Sequence, residues 1–124
     1  MEQVVEYFFD TYALIEIVKG NPAYARYSEA RGHTAIFNLY EFYAHILKGN
    51  GEQLAKQKFD IFKGMLIEIK DKHIFAAAAF KLKSKGSHFS YADALGYSIA
   101  EAEGLIFVTG DNEFRNLPNV QFVR

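Results

Sequence analysis

The alternation of short apolar runs with helix-length segments constrains this chain more than any other feature. Val4 to Phe9 is β-branched and aromatic, stops at Asp10-Thr11, and reads as a buried strand. Thr11 to Lys19 then sets Ala13, Leu14, Ile17 and Val18 near one helical face. Gly20-Asn21-Pro22 ends that helix and starts another running to about Arg31. His33 to Phe37 is a second strand candidate, and Asn38 is placed to cap a helix carrying Leu39, Phe42, Tyr43, Ile46 and Leu47. Gly49-Asn50-Gly51 breaks it, and Glu52 to Lys63 continues as another helix. Met65 to Ile69 reads as a third strand, followed by an alanine-rich helix capped by Asp71 and ending near Lys85-Gly86. Ser90 begins a helix whose Ala92, Leu95, Ile99 and Ala102 share one face. Gly104 closes it, Leu105 to Val108 is a fourth strand, and a turn at Asp111 to Asn116 leads to a last strand over Val120 to Val123.

Apolar strands alternating with helices predict an α/β fold, with helices on both faces of a parallel sheet of about five strands. At 124 residues, with no linker-like stretch and no internal repeat, the expectation is one domain over residues 1–124. In such sheets ligands bind outside the carboxyl ends of the strands, so the residues just after each strand are the ones to examine.

Composition removes several function classes. There is no cysteine, hence no disulfide scaffold, thiolate metal site or thiol nucleophile, which fits a reducing cytoplasm. The opening MEQVVEYFFD lacks the pattern of a signal peptide. The longest apolar stretch, Ile74 to Phe80, falls far short of the roughly 20 residues of a membrane span. A net charge of -1 excludes a grossly basic nucleic-acid binder, though not a local basic patch. No phosphate-loop or dinucleotide-binding glycine pattern occurs.

Three strand ends run into acids: Phe9 into Asp10, Phe37 into Asn38-Leu39-Tyr40-Glu41, and Val108 into Thr109-Gly110-Asp111. Asp93 joins them from the first turn of the helix before the fourth strand. Each alone has a plain structural explanation as a cap or turn residue, and Ser90 with Asp93 has capping-box spacing. As a set they point to chemistry. Clustered carboxylates raise one another's pKa unless a cation sits between them, and an all-oxygen donor set suits Mg²⁺ or Mn²⁺.

The segments FFDT (Phe8 to Thr11), NLYEF (Asn38 to Phe42) and FSYADALGYSIAEAEGLIFVTGDNEF (Phe89 to Phe114) resemble the PIN domain family. Within it the resemblance is to the VapC-type ribonuclease toxins of prokaryotic toxin–antitoxin pairs. It implies that Asp10, Glu41, Asp93 and Asp111 form an acidic quartet at the carboxyl edge of the sheet. Thr109 matches a hydroxyl residue that supports the fourth acid, and Thr11 the small polar residue after the first. The resemblance further implies a cytoplasmic endoribonuclease dependent on Mg²⁺ or Mn²⁺, a homodimer, and a cognate antitoxin partner. On this reading Asp10 and Asp93 are the principal metal ligands, Asp111 serves a second or weaker ion, and Glu41 orients or deprotonates the attacking water.

Other residues are weaker candidates. Lys81, Lys83, Lys85 and Arg115 could grip RNA phosphates, against the plainer reading of a solvated basic face. Of the four histidines, His33 and His73 fit element starts, and His88, in the loop before Asp93, is the one singled out for a site role. The early aromatics Tyr24, Tyr27, Phe42, Tyr43, Phe59 and Phe62 could serve partner interfaces or the core. Three rivals stand beside the toxin reading: a housekeeping PIN nuclease of RNA maturation, a silent RNA- or protein-binding module of the same fold, and a phosphoacceptor receiver domain. The last expects adjacent acids after the first strand, whereas Asp10 stands alone.

Overall fold

The computed structural model describes residues 4–124. Four parallel strands, β1 (Tyr7–Phe9), β2 (Gly32–His33), β3 (Ile106–Thr109) and β4 (Val120–Phe122), lie in the order β2-β1-β3-β4. Helices α1 (Thr11–Lys19), α2 (Ile36–Asn50), α3 (Glu52–Lys63), α4 (Asp71–Lys83) and α5 (Tyr91–Glu103) flank them. Two 3₁₀ helices, Pro22–Tyr27 and Asn112–Phe114, complete the described elements.

The central strands are apolar on both faces because each successive side chain goes to a different core. Phe9 and Val108 pack with α1, α2, α3 and the first 3₁₀ helix, around Leu14, Tyr24, Tyr27, Phe42 and Phe62. Phe8 and Phe107 point the other way, stacked with ring centroids 5.7 Å apart, and pack with α5 and Phe114. Helices therefore cover both faces, giving the expected α/β/α layering. Gly96 lets α5 approach β1, since a Cβ there would come within 3.1 Å of the Phe8 ring.

Several local expectations need correction. The first strand begins at Tyr7 rather than Val4, and the second is Gly32–His33 rather than His33 to Phe37. Helix α2 already starts at Ile36, so Asn38 lies inside its first turn and does not cap it. Its amide is drawn inward to Thr11 instead (3.2 Å). Met65 to Ile69 is not a full strand. It contributes a single parallel bridge, Leu66 to Thr34, at the β2 edge, with Thr34 N–H donating to Met65 O and Ile67 N–H to Thr34 O. Asp71 is the first residue of α4, not its cap, and that helix ends at Lys83. The segment after Asn21 forms only the 3₁₀ turn to Tyr27, capped by the Asn21 side chain. Tyr24, Tyr27, Phe42 and Phe62 are buried in the core, while Tyr43 and Phe59, packed edge-to-face (5.8 Å), are partly buried against it. Among the described residues no helix is long and apolar enough to cross a membrane.

The chain route also brings Asp93 to the right edge. Helix α5 connects to β3 through only Gly104 and Leu105, so its last turn lies at the amino edge of the sheet. Its first turn, carrying Asp93, therefore opens at the carboxyl edge, beside the ends of β1 and β3.

Candidate metal centre

The four acids line one cavity of about 420 Å³, together with Thr11, Tyr12, Ile15, His45, Gly110, Asn112 and Arg124. Asp10 follows β1 and caps α1, its Oδ1 accepting the Ala13 N–H at 2.9 Å. Its Oδ2 accepts the Thr109 hydroxyl. That hydroxyl in turn accepts the Asp111 N–H at 3.0 Å, so Thr109 ties the first and fourth acids together from beneath. Asp111 caps the second 3₁₀ helix through the Glu113 N–H (3.0 Å). Asp93 forms a reciprocal capping box with Ser90, both bonds 3.0 Å. The structural and chemical readings of these acids thus hold together: the same carboxylates cap helices and face the cavity.

Glu41 is held differently. The Thr11 hydroxyl donates to its Oε1 at 2.8 Å, and the Asn38 amide donates to the Thr11 oxygen. Asn38 is itself buried, and its Oδ1 has no partner among the described residues. This relay from Asn38 through Thr11 orients the carboxylate and leaves Oε2 available.

Charge is poorly balanced here. Burial first, and then the nearby Asp93 and Asp111, raise the Asp10 carboxyl to about 7 against the opposing hydrogen bonds from Thr109 and Ala13. Asp93 is also raised, by burial first and then by Asp111 and Glu41, with the Ser90 hydrogen bonds opposing. Among the cavity-lining residues Arg124 is the only one with a fixed positive charge; its Nε donates to Gly110 O at 3.2 Å. Among the described residues no three carboxylates or imidazoles are already gathered at ion-holding distance. The donor chemistry nevertheless fits a hard divalent cation: every acidic ligand candidate is an oxygen donor, and none of the four carboxylates makes an ion pair among the described residues.

Lys81, Lys83, Lys85 and Arg115 do not line the cavity. Lys81 donates to Phe89 O and lies over the Tyr91 ring, and Arg115 lies over the Phe122 ring. His88 contributes only its backbone N–H, to Glu113 (3.2 Å). The histidine that does line the cavity is His45, one helical turn after Glu41. Sequence reasoning missed Asn38, His45, Tyr12 and Arg124. The spacing Asn38-Glu41-His45 on one helix carried a readable signal for two of them, whereas nothing local marks Arg124.

A family model for the PIN domain matches residues 7–120, and the chain belongs to that family. None of the curated proteins matches it. Its fold is similar to that of several solved structures. One is VapBC2 from Rickettsia felis bound to a DNA fragment from the promoter of its genes (TM-score 0.76, 22% identity, covering 97% of this chain and 100% of that one). Another is a toxin–antitoxin complex from Klebsiella pneumoniae (TM-score 0.74, 20% identity, 93% and 95%). A third is VapC20 of Mycobacterium tuberculosis, described as a sarcin–ricin loop cleaving toxin (TM-score 0.72, 14% identity, 90% and 95%).

Proposed function

We propose that this PIN-domain protein is a divalent-metal-dependent endoribonuclease and the toxin of a toxin–antitoxin pair, acting in the cytoplasm on RNA phosphodiester bonds. The observation that carries this reading is the convergence of Asp10, Glu41, Asp93 and Asp111 on one cavity. Asp10 and Asp93 are the principal ligands for Mg²⁺ or Mn²⁺, with Asp111 serving a second or weaker site. When bound, the metal supplies an activated water and charge neutralisation at the phosphoryl oxygens. Glu41, fixed through Thr11, presents its other oxygen to orient that water and accept its proton. Thr109 keeps Asp10 and Asp111 in register.

Two apolar surfaces support the partner assignments. Helix α4 carries no charge from His73 to Phe80, and exposes Phe75 (71%), Ile74 and, beyond them, Leu82 (68%). Tyr91 (82% exposed) and Leu95 of α5 continue this surface to Phe37 of α2. A mostly apolar face of this kind, edged by Lys81 over the Tyr91 ring, suits a permanent interface, which we assign to a second copy of the chain. A separate apolar groove between α1 and α3, lined by Ile17, Val18, Ile61 and Met65, suits an apolar antitoxin segment.

Incubation of total RNA with the purified protein in Mg²⁺, Mn²⁺ or EDTA tests the reading. Cleavage is expected with metal alone, and Asp10→Asn and Asp93→Asn should abolish it, a loss beyond the roughly 100-fold caused by disturbing groups around a metal. Undiminished cleavage by both folded variants refutes the assignment. Millimolar Mg²⁺ should raise the Tm, because the site exists only in the folded state; no shift and no cleavage favour a silent binding module. A short reading frame upstream encoding a DNA-binding protein separates a toxin from a nuclease of RNA maturation.

A further inference from the structure

The carboxylate cavity is not closed at its α1 side. It shares Tyr12, Ile15 and His45 with a second cavity of about 340 Å³ that runs on to Glu16 and Lys19. Tyr12, Ile15, Glu16 and Lys19 are spaced three, four and seven residues along α1, one stripe of that helix. His45 faces them from α2, one turn beyond Glu41. The two helices thus form a trough leading away from the acids.

Its surface has the composition that single-stranded nucleic acid requires. The Tyr12 ring is seated on Gly110, where a Cβ would come within 2.2 Å of it, so a flat aromatic face is held in place at the boundary of the two cavities. Ile15 continues the apolar floor. Lys19 supplies a cation at the far end, and Arg124 one on the acid side. The single acid in the trough, Glu16, accepts from the Asn21 amide (2.8 Å), and Lys19, 3.5 Å from its other oxygen, is largely exposed and keeps donors for a phosphate. An aromatic platform with flanking cations is the usual means of holding an unpaired nucleotide.

We propose that the trough between α1 and α2 is a subsite for the nucleotide next to the scissile phosphate of single-stranded RNA. Its base stacks on Tyr12, and its phosphates are held by His45 and Lys19. The proposal rests on the nuclease reading and gives it a substrate path, which runs over α1 and not along the lysines of α4.

The test uses fluorescence anisotropy of a labelled single-stranded RNA oligonucleotide on an Asp93→Asn background, with cleavage kinetics on the otherwise wild-type protein. Tyr12→Ala should weaken binding about tenfold, the stacking contribution of one base, and raise KM with kcat little changed. Because Tyr12 also packs against Gly110, the exposed His45→Ala and Lys19→Ala variants provide readouts free of folding effects. Lys19→Ala should lower the slope of log affinity against log salt by about 0.7. Lys56→Ala on α3, paired with Glu52 (2.6 Å), should leave both measurements unchanged. If the wild-type protein cleaves RNA while all three trough variants keep its KM, affinity and salt slope, the subsite is overturned and the nuclease assignment survives. A wild-type protein that neither binds nor cleaves RNA overturns both.

Discussion

Helix α5 carries a carboxylate at each end, and the two ends are built in opposite ways. At its last turn Glu103 accepts from the Nε2 of His73 (2.8 Å), which is fully buried, and pairs with Lys72 at 3.1 Å. The other ring nitrogen, Nδ1, accepts the Lys70 N–H, so every polar atom of that imidazole is used. At its first turn Asp93 faces Asp10, Glu41 and Asp111 across a cavity. The helix dipole favours an anion at the first turn and opposes one at the last, by about 0.3–1 kcal/mol. The carboxyl groups shift the other way: Asp93 is raised, and Glu103 is lowered by His73 and Lys72. Neighbouring groups and burial therefore outweigh the dipole at both ends. The amino edge of the sheet is a satisfied polar joint that holds α4 to α5, whereas the carboxyl edge keeps carboxylates together at a cost that a proton or a bound cation removes.

The largest effect expected from this contrast is at the amino edge. His73→Ala should lower the unfolding free energy by about 3 kcal/mol, combining a buried void with lost hydrogen bonds. Urea denaturation measures it, and metal-dependent cleavage by the folded variant should be unchanged. Unaltered stability would break the comparison.

Asp10→Asn should do the reverse. Its amide oxygen can keep the Ala13 N–H, and removing a buried anion should stabilise the metal-free protein by about 2 kcal/mol at pH 8. The sign follows from the raised Asp10 carboxyl, near 7 in the folded protein against an ordinary 3.8. The folded state binds that proton more tightly than the unfolded chain, so metal-free stability should decline as pH rises from about 4 to about 7. Thermal unfolding across that range without metal should show the decline in the parent and its loss in Asp10→Asn. An equal decline in the variant would place the effect elsewhere.

The smallest effect concerns orientation. Thr11→Val removes the hydroxyl between Asn38 and Glu41, and should reduce kcat about tenfold while costing only about 1 kcal/mol of stability, as the buried Asn38 amide loses its acceptor. Initial rates at saturating RNA check it, and an unchanged kcat would remove Glu41 from the role assigned to it.

Much of the architecture was legible because it is local. Apolar runs mark β1 and β3, helical periodicity marks α5, and the Ser90–Asp93 capping box needs only four consecutive residues. The acids after the strands were readable for the same reason, since a parallel sheet places strand ends at one edge. The failures were equally physical. Met65 to Ile69 has strand-like composition, yet only Leu66 finds a bridge partner, because β2 beside it is two residues long. Asn38 has the chemistry of a cap, and Thr11, 27 residues away, takes its amide instead. Tyr24 and Phe75 look alike as aromatics on early and middle helices, but one is buried and the other largely exposed.

The amino-acid sequence by itself determined the order of elements, the two-sided sheet, and the positions at which acids could meet, through periodicity, propensity and capping that act over a few residues. Only the tertiary structure decided which groups share the cavity: Thr109 reaches Asp10 across 99 residues, and Arg124 and His45 arrive from opposite parts of the chain. Side chains so distant in the chain are brought together by packing both faces of the sheet, a collective outcome that no local pattern encodes.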